Sequence, residues 1–473
     1  MEWQINHHKV GVKMEFFTKN IFADKIFYHV YPLGLGNCPK NNDYHQEAGN
    51  FFEIFAGDLD RIRKLGCNAI YFGPIFESCR HGYDTLDYYY VDRRLGNNQK
   101  FKNFCQIAHE KGFSIVLDGV FNHTGREFFA FKDLQNNGRN SQYKDWYLNI
   151  NFDHQSNYGD CFDYDGWAGC KDLVKLNLLN NDVQNHIFGA VKFWIEEFKI
   201  DGLRLDAADV IDGLFLEKLG SFCRNLKNDF WLMGEVVHGD YNAWCNAEKI
   251  DSVTNYQLYS ALYSSVDNSN FYELSFNLNR EFGTKEGLYK YAPLYNFLDN
   301  HDVNRVASVI KNPEKQLYMI YALLFAVPGI PSIYYGSEYG LFGKRGQWDD
   351  YELRPSLPPF SETPDFLKPS QNFSFLSEAI SCFAELRKNS AALKYGNYME
   401  EYITNQQFVF SRNYKDEQVL IICNSDEKKV FVKLNVPYDS EYEDMLSHEK
   451  YSGESLKNFA TGSCDVRFLK RIK

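Results

Sequence analysis

Short apolar runs alternate with amphipathic stretches from about Ile26 to Leu386. The runs are IFYHVYP, NAIYFGPIF, FSIVLDGVF, GLRLDA, FWLMGE, DSVTNY, LYNFLD and GIPSIYYG, eight in all. Each has the length and continuity of a strand buried on both faces, as in a parallel sheet. Most are separated by stretches of helical periodicity. The clearest runs from Asp182 to Phe198, where Val183, Ile187, Ala190, Val191, Trp194, Ile195 and Phe198 recur at helical spacing. Asn181 or Asp182 is placed to cap its N-terminus. Eight strands alternating with helices predict an α/β fold, a closed (β/α)8 barrel. A doubly wound open sheet is the rival arrangement, and the lack of a glycine-rich phosphate loop after the first run counts against it.

Two segments break the alternation. The connection from His123 to about Asn180 is rich in Asn, Asp, Gly and Tyr. Loops of that length rarely lack structure of their own, so a small subdomain is expected. Beyond about Ser390, segments such as QQFVFSRNY, QVLIICN and KKVFVKLNV read as antiparallel strands separated by turns. The expected division is therefore 1–123 for the first part of the barrel, with an extension to about residue 20, then 124–180 for the loop subdomain. The rest of the barrel follows at 181–390 and a C-terminal β-sandwich domain at 391–473.

A chain of 473 residues suits a large barrel with appendages. Its net charge of −12 argues against nucleic acid or an anionic membrane as partner. Eleven cysteines with no CxxC pair, several of them (Cys67, Cys105, Cys223, Cys423) inside apolar or helical runs, read as reduced thiols. The N-terminus lacks the apolar core of a secretory signal. The most apolar stretch, near Tyr318 to Val327, is too short to span a bilayer. A cytoplasmic protein is expected; nothing in the sequence sets its oligomeric state.

Three carboxylates stand where a core strand has no use for them. IDGLRLD ends at Asp206, FWLMGE at Glu235 and YNFLDNHD at Asp302. An unpaired buried charge is costly. Barrel active sites form at the C-terminal ends of the strands, so these acids are expected around one mouth. Tyr83 follows the second strand, and Asp118 and His123 the third. Paired carboxyls in a pocket are what glycosidic bond cleavage requires.

The same segments resemble the α-amylase family, glycoside hydrolase family thirteen. Asp118 with Asn122-His123, Gly202-x-Arg204-x-Asp206, Gly234-Glu235 and Asn300-His301-Asp302 follow the family's motifs in order. HGYDTLDYYYVD from His81 resembles its second-strand loop. LVKLN from Leu173 is similar to a stretch of the neopullulanase, cyclomaltodextrinase and maltogenic amylase branch. Only about twenty residues precede the first strand, so the N-terminal starch-binding domain common in that branch is expected to be absent.

The resemblance implies a retaining α-glucan hydrolase with no organic cofactor. Its partners would be maltooligosaccharides, cyclodextrins or related α-glucans, cut mainly at α-1,4 bonds. Asp206 would be the nucleophile, Glu235 the general acid and base, and Asp302 the residue that grips and distorts the sugar. Arg204 would orient Asp206, His123 and His301 would donate to sugar hydroxyls, and Tyr83 would stack on the ring. Asp118 reads as structural. A calcium site would draw on Asn37, Asn42, Asp43 and Asp58, although Pro39 stands where a carboxylate is expected and the stretch reads equally as a polar turn. A second calcium site would use Asn122. Asp209 and Val210 replace the Lys-His many α-amylases carry after the nucleophile, which weighs against a polymer-cleaving role. The alternatives are a transglycosylase of the same family, an α-1,6-glucosidase, and a non-catalytic transporter-associated relative that would normally have lost these acids.

Overall fold

The computed structural model describes residues 22–347, 349–357 and 373–473. All eight apolar runs form strands: β1 Phe27–Val30, β2 Ala69–Phe72, β3 Ser114–Gly119, β4 Gly202–Leu205, β5 Trp231–Gly234, β6 Ser252–Val253, β7 Tyr295–Asn296 and β8 Ile330–Tyr334. They pair in parallel in the order β6-β5-β4-β3-β2-β1-β8-β7. A parallel bridge between Thr254 and Tyr295 joins the two ends. The sheet closes into the barrel that the alternation predicts.

Strand periodicity decides what faces the lumen. On β3, Ile115 and Leu117 pack outward into the main core while Val116 points in; on β5, Leu232 packs outward while Trp231 and Met233 point in. Phe22 and Phe27 stack on Trp231 at 4.9 and 5.2 Å and plug the lower end of the lumen. The same alternation turns Arg204 of β4 inward, between Leu203 and Leu205 of the outer core. Register then places Asp118 of β3 beside Arg204 on one side and Met233 of β5 on the other.

Helix α1 spans Asn98–Glu110 and packs outside the barrel. Helix α2, Asn181–Phe193, continues into a π turn over Trp194–Phe198. Its cap is Asn180, one residue before the expected position: the Asn180 side chain accepts from the Asp182 and Val183 amides at 2.8 and 3.3 Å. Helix α3, Pro313–Ala326, carries Pro at its first turn and is buried along most of its last three turns.

Inside the long third connection, His123–Gly125, Gly166–Trp167 and Cys170–Lys175 form a three-stranded antiparallel sheet. Arg126 ties this segment together through Asp160, at 2.8 and 3.0 Å. After α4 (Leu376–Lys388) comes an antiparallel sheet of β9 Asn397–Ile403, β10 Gln407–Tyr414, β11 Glu417–Asn424, β12 Glu441–Asp444, β13 Lys450–Ser452 and β14 Asp465–Arg471, in the order β9-β10-β11-β14-β12-β13. All eleven cysteines are free thiols. Among the described residues, no helix is long and apolar enough to cross a membrane.

Candidate active site

Arg204 is the hub. It is 2 % exposed, and a buried guanidinium needs carboxylate partners. Nη1 donates to both oxygens of Asp118 at 2.9 and 3.0 Å and to Asp206 Oδ1 at 2.9 Å. Nη2 lies 2.7 Å from Glu235 Oε2. One side chain thus holds the acids at the ends of three adjacent strands. The backbone supports this: the Asp206 amide donates to Gly119 O at 3.1 Å and the Glu235 amide to Leu205 O at 2.9 Å, so both acids stand at the same height on the rim. Ala207 then turns at φ 47, ψ 40, an uncommon conformation for a residue with a Cβ. The turn aims its N–H at Glu235 Oε2, 3.1 Å away.

Asp118 is saturated by protein. Besides Arg204 it accepts from the Tyr71 hydroxyl at 3.0 Å and the Tyr83 hydroxyl at 3.1 Å. Its place is structural, below the rim. Asp302 is fixed from the opposite side, where Arg354 Nη2 reaches its Oδ1 at 2.8 Å and His301 Nε2 lies 3.0 Å from its Oδ2. Its own amide donates to Asn300 Oδ1 at 2.8 Å. The His301 ring lies nearly parallel to those of Tyr83 and Tyr31, with centroids 5.6 and 5.8 Å apart. Its Nε2 also contacts the Tyr83 hydroxyl, and its Nδ1 is buried without a protein partner.

His123 differs from the expectation. Nε2 faces Tyr83 O at 3.1 Å and Nδ1 faces the Asn122 amide nitrogen at 3.2 Å. A carbonyl only accepts and an amide nitrogen only donates, so the ring is neutral with its proton on Nε2. Burial pushes it down to about 3, against the bond to Tyr83 that favours the charged form. Both nitrogens are committed to protein: His123 braces the Tyr83 loop and offers no free donor to a ligand.

Four carboxyls share two guanidiniums here, Arg204 and Arg354. Burial pushes Asp206 up, Arg204 pulls it back, and Glu235, Asp118 and Asp302 push it up again. Glu235 is likewise raised by burial, opposed by Arg204 and raised further by Asp302. Burial acts on Asp302 too, but His301, Arg354 and Arg204 outweigh it and hold it well below the usual carboxylate range. Asp302 is therefore ionised. Asp206 and Glu235, bridged by one cation, titrate as a pair, both raised above the usual carboxylate range by burial. Two carboxyls side by side at the rim, 11 % and 15 % exposed, are equipped, one ionised and one protonated, to attack an electrophilic carbon and protonate its leaving group.

Sequence reasoning missed Arg354, Tyr31, Tyr71 and Tyr256. Tyr256 stands 3.5 Å from Glu235 Oε1 and accepts from the Asn300 amide at 3.1 Å. Tyr71 alone carried a signal, since it alternates into the lumen of β2. Tyr256 and Arg354 come from connections whose path the strand pattern does not describe.

The expected calcium ligands do not assemble into a donor set. Both oxygens of Asp58 are held by Arg61, at 2.7 Å each. The Asn42 amide donates to Glu77 Oε1 and Ser78 O at 3.2 and 2.8 Å, and Asp43 accepts from the His45 amide at 3.0 Å. Asn37 sits at φ 51 in the left-handed region. Arg94 binds the Pro39 carbonyl of this loop at 3.0 Å and the Arg80 carbonyl of the next connection at 2.6 Å. A hard cation needs six to eight oxygens; Arg61 already holds both oxygens of Asp58, while Asn42 Oδ1 is buried without a protein partner. Among the described residues no cluster of three or more His, Cys, Asp or Glu side chains could hold a metal. Asn122, of the second expected site, is engaged with His123.

Comparison with known proteins gives a consistent result. Residues 46–357 match the family described as alpha amylase, catalytic domain, and residues 402–466 match alpha amylase, C-terminal all-beta domain. A cyclomaltodextrinase of Thermoanaerobacter pseudethanolicus is 30 % identical over 92 % of this chain and 76 % of its own length. Neopullulanase 2 of Thermoactinomyces vulgaris is 30 % identical over 90 % of this chain and 73 % of its own. A solved cyclomaltodextrinase structure superposes with a TM-score of 0.83 at 26 % identity, over 95 % of this chain and 78 % of the other.

Proposed function

This chain belongs to the α-amylase family of glycoside hydrolases, and we propose that it cleaves α-1,4 bonds of short maltooligosaccharides and cyclomaltodextrins with retention of configuration. The observation that carries this reading is the Arg204 bridge between Asp206 and Glu235. One guanidinium keeps the two carboxyls close, which suits the ~5 Å separation of the covalent route better than the ~6.5–9.5 Å of the inverting one.

In the first step Asp206 attacks the anomeric carbon while Glu235 gives its proton to the glycosidic oxygen. The C–O bond breaks, the leaving sugar departs with that proton, and a glycosyl ester forms on Asp206. In the second step Glu235, now a carboxylate, takes a proton from water; the water oxygen attacks the anomeric carbon and releases Asp206. Two inversions give net retention. The proton of the Asp206–Glu235 pair settles on Glu235 once substrate is bound. The glycosidic oxygen is an acceptor for it, and Arg204 is left to Asp206. Asp302, ionised and braced by Arg354, grips sugar hydroxyls and favours the flattened ring. His301 and the Tyr83 and Tyr31 rings form the wall against that sugar. The names of the relatives support oligosaccharides and cyclic dextrins as substrates. The unpaired thiols support a reducing, intracellular setting.

The test is product analysis on maltotriose, a cyclomaltodextrin and pullulan, with Asp206→Asn in parallel. Maltose and glucose as the first products, with none from the variant, are expected. Products longer than the substrate would replace hydrolysis by transfer, and activity on pullulan alone would move the linkage to α-1,6.

A further inference from the structure

One nitrogen of His301 is engaged and the other is not. Nε2 faces two acceptors: the Asp302 carboxylate, 3.0 Å away, and the Tyr83 hydroxyl, whose own proton goes to Asp118 at 3.1 Å. Nε2 therefore carries a proton. Nδ1 is buried with no protein partner. Which nitrogen of an imidazole holds the proton is set by what the other one bonds. The orientation of His301 against Asp302 thus depends on what meets Nδ1.

The side chain placed to meet it is His29. It is 3 % exposed on β1, between Tyr28 and Val30, which pack outward into the main core, so strand alternation turns it into the lumen. Three rings pack against it. Tyr71 stacks on it with centroids 4.3 Å apart, Tyr334 lies at 4.8 Å, and His301 stands perpendicular to it at 5.2 Å. Both tyrosine hydroxyls are engaged elsewhere: Tyr71 donates to Asp118 at 3.0 Å and Tyr334 to Leu353 O at 2.9 Å. His29 Nε2 is buried without a partner, as His301 Nδ1 is. Buried polar atoms are almost always hydrogen-bonded. Two unpaired nitrogens in adjoining rings satisfy one another through a hydrogen bond, direct or relayed by one buried water. Burial pushes the His29 imidazole well below its usual range, so the ring is neutral, with one nitrogen to donate and one to accept.

We propose that His29 is a positioning residue for the glycosidase reaction: its Nε2–H donates to His301 Nδ1, which fixes the proton of His301 on Nε2 and steadies Asp302 where it grips the sugar. This rests on the glycosidase reading above. His29 acts through His301 and not on the sugar.

The experiment compares kcat and KM on maltotriose, with melting temperature, for the parent, His29→Gln, His29→Asn and His29→Phe. Glutamine brings an amide near the place of Nε2, asparagine near that of Nδ1, and phenylalanine keeps a ring without nitrogen. His29→Gln is expected to stay near the parent. His29→Asn and His29→Phe should lower kcat by about 10- to 100-fold. KM should change less than kcat, because the grip on the distorted ring acts in the transition state. Melting temperatures certify the fold, and if His29→Phe does not fold, Asn against Gln decides alone. Asn and Gln variants equal to one another, both active or both impaired, overturn the pairing and leave the glycosidase reading standing. A parent inactive on maltotriose, cyclomaltodextrin and pullulan alike overturns both.

Discussion

Two of the places where charge is buried in this molecule handle it in opposite ways. At the barrel mouth, four carboxyls crowd two guanidiniums, and three of them, Asp206, Glu235 and Asp302, keep part of their side chains exposed. At the junction of α3, α4 and β10, two guanidiniums are buried, and no carboxylate among the described residues pairs with them. Arg387 of α4 donates to Phe325 O at 2.8 Å, to Val327 O at 3.3 Å and to Gly329 O. Arg412 of β10 donates to Ala326 O at 2.6 Å and to Gly396 O at 2.8 Å. Their partners include the last carbonyls of α3, the negative end of a helix with no further turn to bond. Burial pushes Arg387 down to about 10, and it lowers Arg412 as well, with Arg387 adding to the effect. The comparison teaches how to tell the two uses apart. Buried charge spent on carbonyls joins elements, whereas buried like charges left facing a pocket strain the fold and await a ligand.

The contrast predicts opposite outcomes when each site is neutralised. Asp206→Asn should lower kcat on maltotriose by at least about 10⁴-fold. Its melting temperature should equal or exceed the parent's, because one of four crowded carboxyls no longer charges. Initial rates and calorimetry on the same preparation check both halves, and a clear fall in melting temperature would mean that the pocket is structural after all. Glu235→Gln should cost about 10²–10⁴-fold. In the parent, activity needs one proton on the Asp206–Glu235 pair, and burial raises the pair. The rate should therefore fall as pH rises past a value above the usual carboxylate range. The variant cannot lose that proton, so its alkaline limb should disappear from the pH–rate profile.

At the junction the sign reverses. Arg412→Met should cost about 3–5 kcal/mol, since it leaves the Ala326 and Gly396 carbonyls buried without donors. Denaturant melts measure it, and kcat of the folded fraction should not change. A third buried charge sharpens the contrast. Glu281 is 0 % exposed, has one oxygen without a partner and is pushed up to about 7 chiefly by burial, with the Asn255 amide at 2.9 Å pulling the other way. It accepts from Asn255, whose own side-chain oxygen caps the helix Tyr256–Asp267. A glutamate in the unfolded chain titrates near ~4.3, so between there and pH 7 the folded state holds the extra proton. Its contribution to stability is present below that window and is lost as pH rises through it. Glu281→Gln should therefore match the parent near pH 4 and exceed it by about 3–4 kcal/mol above pH 7. Equal stabilities at both ends would contradict the assignment.

Much of the barrel was legible because parallel strands are buried on both faces and leave unbroken apolar runs. The eight runs and the eight strands coincide, even for β6 and β7, which have only two residues each. The acids at the mouth were legible for the complementary reason: a carboxylate closing such a run has no core function. What escaped came from side chains that cross between connections. Arg354 reaches Asp302 from a segment 52 residues downstream. His123 spends both nitrogens on Asn122 and the Tyr83 loop, which its motif does not reveal. Of the expected calcium ligands, Asp58 is taken by a pairing that was in plain view, with Arg61 three residues on, the spacing at which opposite charges meet on one helical face. Asn180 rather than Asn181 caps α2, a displacement of one residue that three adjacent capping-type side chains could not resolve.

The central claim is that Asp206 becomes covalently bonded to the sugar while Glu235 moves the protons. Incubation with a 5-fluoroglucosyl fluoride, which forms the ester readily but releases it slowly, followed by proteolysis and mass spectrometry, tests it directly. One fluoroglucosyl adduct should appear on the peptide containing Asp206 and be absent from Asp206→Asn. An adduct on Glu235 or on Asp302, or turnover of the reagent with no adduct formed, would contradict the account.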